Sequence, residues 1–166
     1  MKTNIVKIKL SIESKPDNVN SAIDVGDAIE KIFSSPQDKL IMSLDSLDVE
    51  IPLCYVFSDL LEDFLNIIRD VNSNTEGEGL YGFSQNKIFD CDWKVLWKDN
   101  FISIDIDWRY LSNDINIDQL PNQIRTNKIE FINQWKIIFK ELLKYLNDIE
   151  FEYNDEYLEL KKLIDS

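Results

Sequence analysis

From Phe89 to Trp108 the chain reads FDCDWKVLWKDNFISIDIDW, and its two-residue alternation constrains the fold more than any other feature. Successive side chains on a strand point to opposite faces, so this period specifies a sheet with one dry and one wet side. Asp99-Asn100 supplies a two-residue turn, since both residue types tolerate positive φ. Counting outward pairs Trp97 with Ile102, Val95 with Ile104, Trp93 with Ile106 and Cys91 with Trp108 on the apolar face. The polar face pairs Lys98 with Phe101, Leu96 with Ser103, Lys94 with Asp105, Asp92 with Asp107 and Asp90 with Arg109. A slip of one residue would set tryptophan against aspartate throughout, so the register is fixed by the sequence itself.

Read this way, two of the four aspartates on the polar face have a basic neighbour across the strand, Asp105 facing Lys94 and Asp90 facing Arg109. Asp92 opposite Asp107, with Asp105 on the same side, does not. A like-charge pair held face to face calls for a cation, a protonated acid, or a lysine or arginine from a partner. A Ca²⁺ site wants six to eight oxygens, usually from a D-x-D-x-D-G loop. No such loop occurs, and neither a metal nor a cofactor is expected.

Elsewhere the periods are also informative. Residues 4–12 alternate as a half-buried strand, and 40–46 reads as a short one. Residues 17–33 have helical spacing with Ile23, Ile29, Ile32 and Phe33 inward, weakened by Gly26. Residues 52–72 carry Leu53, Val56, Phe57, Leu60, Phe64, Ile67, Ile68 and Val71 on one face, with Pro52 in the first turn. Three of the four glycines fall in NSNTEGEGLYGFSQN, which reads as a long mobile loop. A second amphipathic helix runs from an N-cap at Thr126 to about Asp148, with Lys136, Lys140 and Lys144 on a solvated flank, and a short helix closes at 155–164. The expected fold is α+β: one domain spanning 1–166, an antiparallel sheet holding strand 4–12 and the Trp-rich hairpin, and two long amphipathic helices packed on one face.

A chain of 166 residues buries roughly 70% of its unfolded surface and needs no staple. Its formal charge of −13 is repelled by a phosphate backbone and by anionic lipid, so neither nucleic acid nor a membrane is an expected partner. The N-terminal lysines interrupt any signal-like apolar core, and no apolar run is long enough to span a bilayer. Cys54 and Cys91 lie in apolar patterns and read as reduced, buried thiols of a cytoplasmic protein. There is no histidine, which removes Ser-His-Asp and Cys-His nucleophiles and most zinc sites. Phosphate-binding glycine motifs are also absent, and the expectation is a protein that is not an enzyme.

Acidic residues interleaved with aromatics are the remaining signal. Glu150, Glu152, Tyr153, Asp155 and Glu156 lie in DIEFEYNDEYLE, which holds six acids and no base. Glu76, Glu78, Tyr81 and Phe83 have the same make-up in the glycine-rich segment. Together with Asp92, Asp105 and Asp107 these are the candidate partner-binding residues: aromatics supply buried area and acids supply on-rate toward a basic protein.

The block DWKVLWKDNFISIDIDW followed by TNKIEFINQWKIIFKELLKYL, a Trp-bearing hairpin and then an apolar helix, resembles the bacterial immunity proteins of contact-dependent inhibition and polymorphic toxin systems. The resemblance covers about a third of the chain and transfers no site residues. It implies an acidic protein that neutralises a basic, nuclease-like toxin domain by occluding it. A scaffold subunit of a cytoplasmic complex is the alternative, followed by an inhibitor that mimics nucleic acid.

Overall fold

The computed structural model describes residues 6–85, 88–112 and 114–166, leaving residues 4 and 5 of the expected first strand and Asn86 outside. The fold is α+β, with antiparallel sheets and four helices. Strands β1 (Val6–Ser11), β3 (Lys39–Leu44) and β4 (Leu47–Pro52) form one sheet in the order β1-β3-β4. Strands β5 (Glu76–Gln85), β6 (Phe89–Lys98), β7 (Phe101–Leu111) and β8 (Gln123–Asn127) form a second, in sequential order. β2 (Ser21–Ala22) and β9 (Glu150–Phe151) make a short parallel pair. Helices α1 (Val25–Ile32), α2 (Ser58–Ser73), α3 (Lys128–Leu146) and α4 (Asp155–Asp165) complete the chain.

The hairpin keeps its expected register from Lys98–Phe101 down to Cys91–Trp108. Asp99 turns the chain at φ 53°. Beyond Cys91 a bulge intervenes, and Asp90 stands opposite Tyr110 rather than Arg109. Strand β1 does not join the hairpin's sheet, contrary to the expectation from the sequence pattern; it pairs with β3 in the other sheet. α3 joins the two sheets instead, packing on β1 and on β7 and β8. Its Gln134 side chain completes the junction: the amide nitrogen donates to the Val6 carbonyl (2.7 Å) and the amide oxygen accepts from the Ile8 N–H (2.8 Å).

Three helix starts differ from the periodicity. α1 begins only at Val25, because the Asp24 carboxylate caps the Asp27 N–H (2.9 Å) while Asp27 reaches back to the Ile23 N–H (2.8 Å). Ile23 is therefore exposed. α2 begins at Ser58, since Pro52 ends strand β4, where a missing N–H is tolerated at a sheet edge. Leu53–Phe57 form a kinked turn with Tyr55 at φ 66°, yet Leu53, Val56 and Phe57 remain buried as their spacing required. α3 is capped by Asn127, whose side chain accepts from Ile129 N–H (2.9 Å) and Glu130 N–H (3.1 Å); Thr126 is a buried residue of β8.

The largest correction is the glycine-rich segment, which is strand β5, paired with β6 without a break over ten residues. No described glycine has positive φ. Gly77 and Gly79 serve close approach: a Cβ at Gly77 would lie 2.4 Å from Cζ2 of Trp97, and one at Gly79 would lie 2.5 Å from the Tyr81 hydroxyl. The rings lie across the glycines and fill the inner face of an edge strand. Gly77→Val is thus expected to cost about 2 kcal/mol in a denaturant melt. Gly82→Ala, whose Cβ meets only the Asp92 carboxylate at 3.2 Å, is expected to be far milder. Equal tolerance at both positions would mean that the Trp97 contact carries no stability.

Candidate partner-binding face

α2 and α3 pack on the inner side of the β5–β8 sheet. Its outer side carries the even-numbered residues of β5 and β6 and the odd-numbered residues of β8 and of β7 up to Asp107. Glu76, Glu78, Asp92, Asp105 and Asp107 are all on this outer side, drawn from three adjacent strands. Tyr81 and Phe83, two residues apart on the same strand as Glu76 and Glu78, face the other way by parity. Tyr81 is half-buried and donates its hydroxyl to Asp70 Oδ2 on α2 (3.0 Å). Burial, together with that bond, pushes its phenol up to about 12. Phe83 is fully buried, 5.0 Å from both the Phe64 and Trp93 rings, and is a core residue rather than a contact residue.

The Asp92/Asp107 opposition is relieved within the chain. Just past the inner-face residue Trp108, the Arg109 guanidinium meets both Asp90 and Asp92: Nε donates to Asp90 Oδ1 (2.7 Å), and Nη1 and Nη2 donate to the two oxygens of Asp92 (2.5 and 3.1 Å). Hydrogen bonding to Arg109 holds the Asp92 carboxyl below its ordinary range. Asp105 accepts from Gln123 Nε2 across the β7–β8 pair (2.7 Å), not from Lys94. The Asp107 carboxylate has no hydrogen bond or ion pair to any described residue, and it is exposed.

The 3-10 turn Ile117–Gln119 and the residues after it run beside the end of β7. The Ile106 N–H donates to the Asn122 carbonyl (2.8 Å), and Trp108 Nε1 to the Pro121 carbonyl (3.0 Å). Between this segment and the sheet lies an open groove of about 910 Å³, lined among the described residues by Asp92, Asp105, Asp107 and Asp118 against a single ammonium, Lys94. Leu80 overhangs one side at 81% exposure. Farther along the face Phe101 is 52% exposed beneath the Arg125 guanidinium, 5.5 Å from the ring centre, and Leu96 is partly exposed beside it. Apolar side chains thus sit among carboxylates on a sheet face uncovered among the described residues.

No family model matches this chain, and neither a curated protein nor a solved structure does so.

The C-terminal candidates are not part of this face. Glu150 opens β9 and Glu152 and Tyr153 follow it, their backbone N–H groups donating to the carbonyls of Asn20, Ala22 and Ile23 (3.0, 3.1 and 2.8 Å). Asp155 and Glu156 open α4, which packs on α2 and α3 in the helical layer. Tyr153 is exposed, whereas Glu156 is half-buried, and burial together with Asp24, Glu62 and Glu159 raises its pKa. The sequence therefore yields two separate acidic regions. Parity already places Phe101 on the polar face, but nothing in the sequence marks Leu80, because an exposed leucine in a glycine-rich run looks like any loop residue.

Among the described residues no group of three or more acidic or thiol side chains is spaced to hold a metal ion. Both cysteines are free and buried, and burial pushes the Cys91 thiol up to about 12, far from a nucleophile's range. No helix among the described residues is long and apolar enough to cross a membrane.

Proposed function

We propose that this chain acts by binding, and that the outer face of the β5–β8 sheet receives a basic protein. The supporting observation is the groove in which four carboxylates surround one ammonium, bordered by the exposed side chain of Leu80. Aromatic and aliphatic anchors among charges of one sign suit a partner that is steered in by its field and held by buried area. The occupant we favour is a basic, nuclease-like toxin domain, occluded by the contact as an immunity protein would do it. Lys94, Lys98, Arg109 and Arg125 interrupt the acids on this face, which disfavours a continuous mimic of a phosphate backbone.

The test is capture from the host of origin by the tagged protein and by its Asp107→Lys/Asp118→Lys variant, followed by association kinetics with the partner retained. Both substituted positions are exposed. A basic partner should associate about tenfold more slowly with the variant and slow further as salt rises. Association indifferent to salt and to both substitutions would remove the acidic face from the mechanism. The exposed Leu80 and Phe101 would then favour a permanent subunit of a larger complex.

A further inference from the structure

Strands at sheet edges are templates for another chain unless something blocks them, and natural proteins block them with lysine, proline, bulges, covering side chains or short length. Most edges here are blocked. β1 carries Lys7 and Lys9, and the Gln134 amide occupies the Val6 carbonyl and the Ile8 N–H as a strand neighbour would. β4 ends in Pro52. β8 is five residues long and runs directly into α3. β5 differs on every count. It is ten residues long, paired to β6 without a bulge, and free of lysine, arginine and proline from Glu76 to Ser84.

Resting on the basic-partner reading above, we propose that β5 is a strand-addition site, where an extended segment of the partner pairs with the edge and extends the sheet. The charges on this edge state what the segment must be. Glu76, Glu78 and Leu80 stand in a row on the outer face, so the added strand places basic side chains beside the glutamates and an apolar one beside Leu80. On the inner face Gly77 and Gly79 have no side chains; Trp97 over Gly77 is buried, and the half-buried ring of Tyr81 beside Gly79 is the apolar surface that adjoins the alternate residues. The ligand is thus an alternating basic-apolar strand, which is strand addition in its general form. A second copy of this chain is the poorer occupant, because its β5 edge brings two more glutamates and no base to this one, on a chain already at −13.

Amide hydrogen exchange tests this with a capped synthetic peptide alternating lysine with valine and long enough to span Glu76–Ser84. The controls are a glutamate-valine peptide and a lysine peptide interrupted by prolines. The lysine-valine peptide should slow exchange at every second amide of β5, those not already bonded to β6. That protection should be lost with the proline peptide, and lost again in Glu78→Lys/Leu80→Lys, whose substituted side chains are both exposed. Unchanged exchange in residues 91–98 certifies that the variant is folded. Binding without β5 protection, or equal binding of the proline peptide, overturns strand addition but leaves the acidic face standing. The face reading fails separately, through the Asp107→Lys/Asp118→Lys comparison. Concentration-dependent β5 protection without peptide would put a second copy on the edge and overturn the basic ligand.

Discussion

Phe64→Ala should destabilise the protein by about 4 kcal/mol, read as a shift of the denaturant midpoint at constant slope. Phe64 is fully buried on α2, and its ring is stacked with those of Trp135 on α3 (4.6 Å), Phe83 on β5 (5.0 Å) and Phe57 in the kinked turn (5.7 Å). Trp93 on β6 meets it edge-on at 6.0 Å. One side chain thus touches both long helices and the two strands behind the candidate face. Its removal leaves a cavity among rings that cannot all move inward together. Phe64→Leu keeps most of the volume and should cost less than half as much. A midpoint close to wild type for the alanine variant would mean that the aromatic cluster closes over the gap.

Phe64 also marks what was legible beforehand. Its place on the apolar stripe of α2 follows from spacing alone, even though the helix begins at Ser58, because the kinked Leu53–Phe57 segment still points its apolar side chains inward. The hairpin register was readable for a related reason: a one-residue slip would reverse the faces of Trp93, Trp97 and their partners. β5 was not readable. Glycine in a strand usually signals a weak spot, and only the cross-strand ring of Trp97 and the neighbouring ring of Tyr81 explain why Gly77 and Gly79 belong there. Nor does a loop have a parity that would separate Glu76 and Glu78 from Phe83. Once the segment is a strand, the same alternation that orders the hairpin sorts these residues into an acidic outer row and a buried inner one.

Sequence distance hid the other large effect. Asp38 is 0% exposed, yet nothing local in SPQDKL marks it. Its carboxylate accepts from the Glu13 N–H (2.8 Å), the Ser14 N–H (3.0 Å) and the Ser14 hydroxyl, while its own carbonyl accepts from the Leu53 N–H (2.9 Å). It therefore fastens the segment after β1 to the start of β3 and to the exit from β4. Burial by itself would raise this carboxyl, but the Ser14 and Glu13 donors outweigh it and hold the pKa below the ordinary 3.8. Asp38→Ala strands three donors and should cost about 3 kcal/mol; Asp38→Asn, which keeps one acceptor oxygen, should cost about half of that. The sign of the pH dependence follows from the depressed value. The charge-dependent share of the stabilisation is fully present above 3.8 and disappears as pH falls through the lower folded-state pKa. The stability gap between wild type and Asp38→Asn should accordingly stay level at neutral and mildly acidic pH and narrow below about 3.8. A gap that stayed level down to the acid transition would show that the charge contributes nothing and that the lost acceptor alone accounts for the cost.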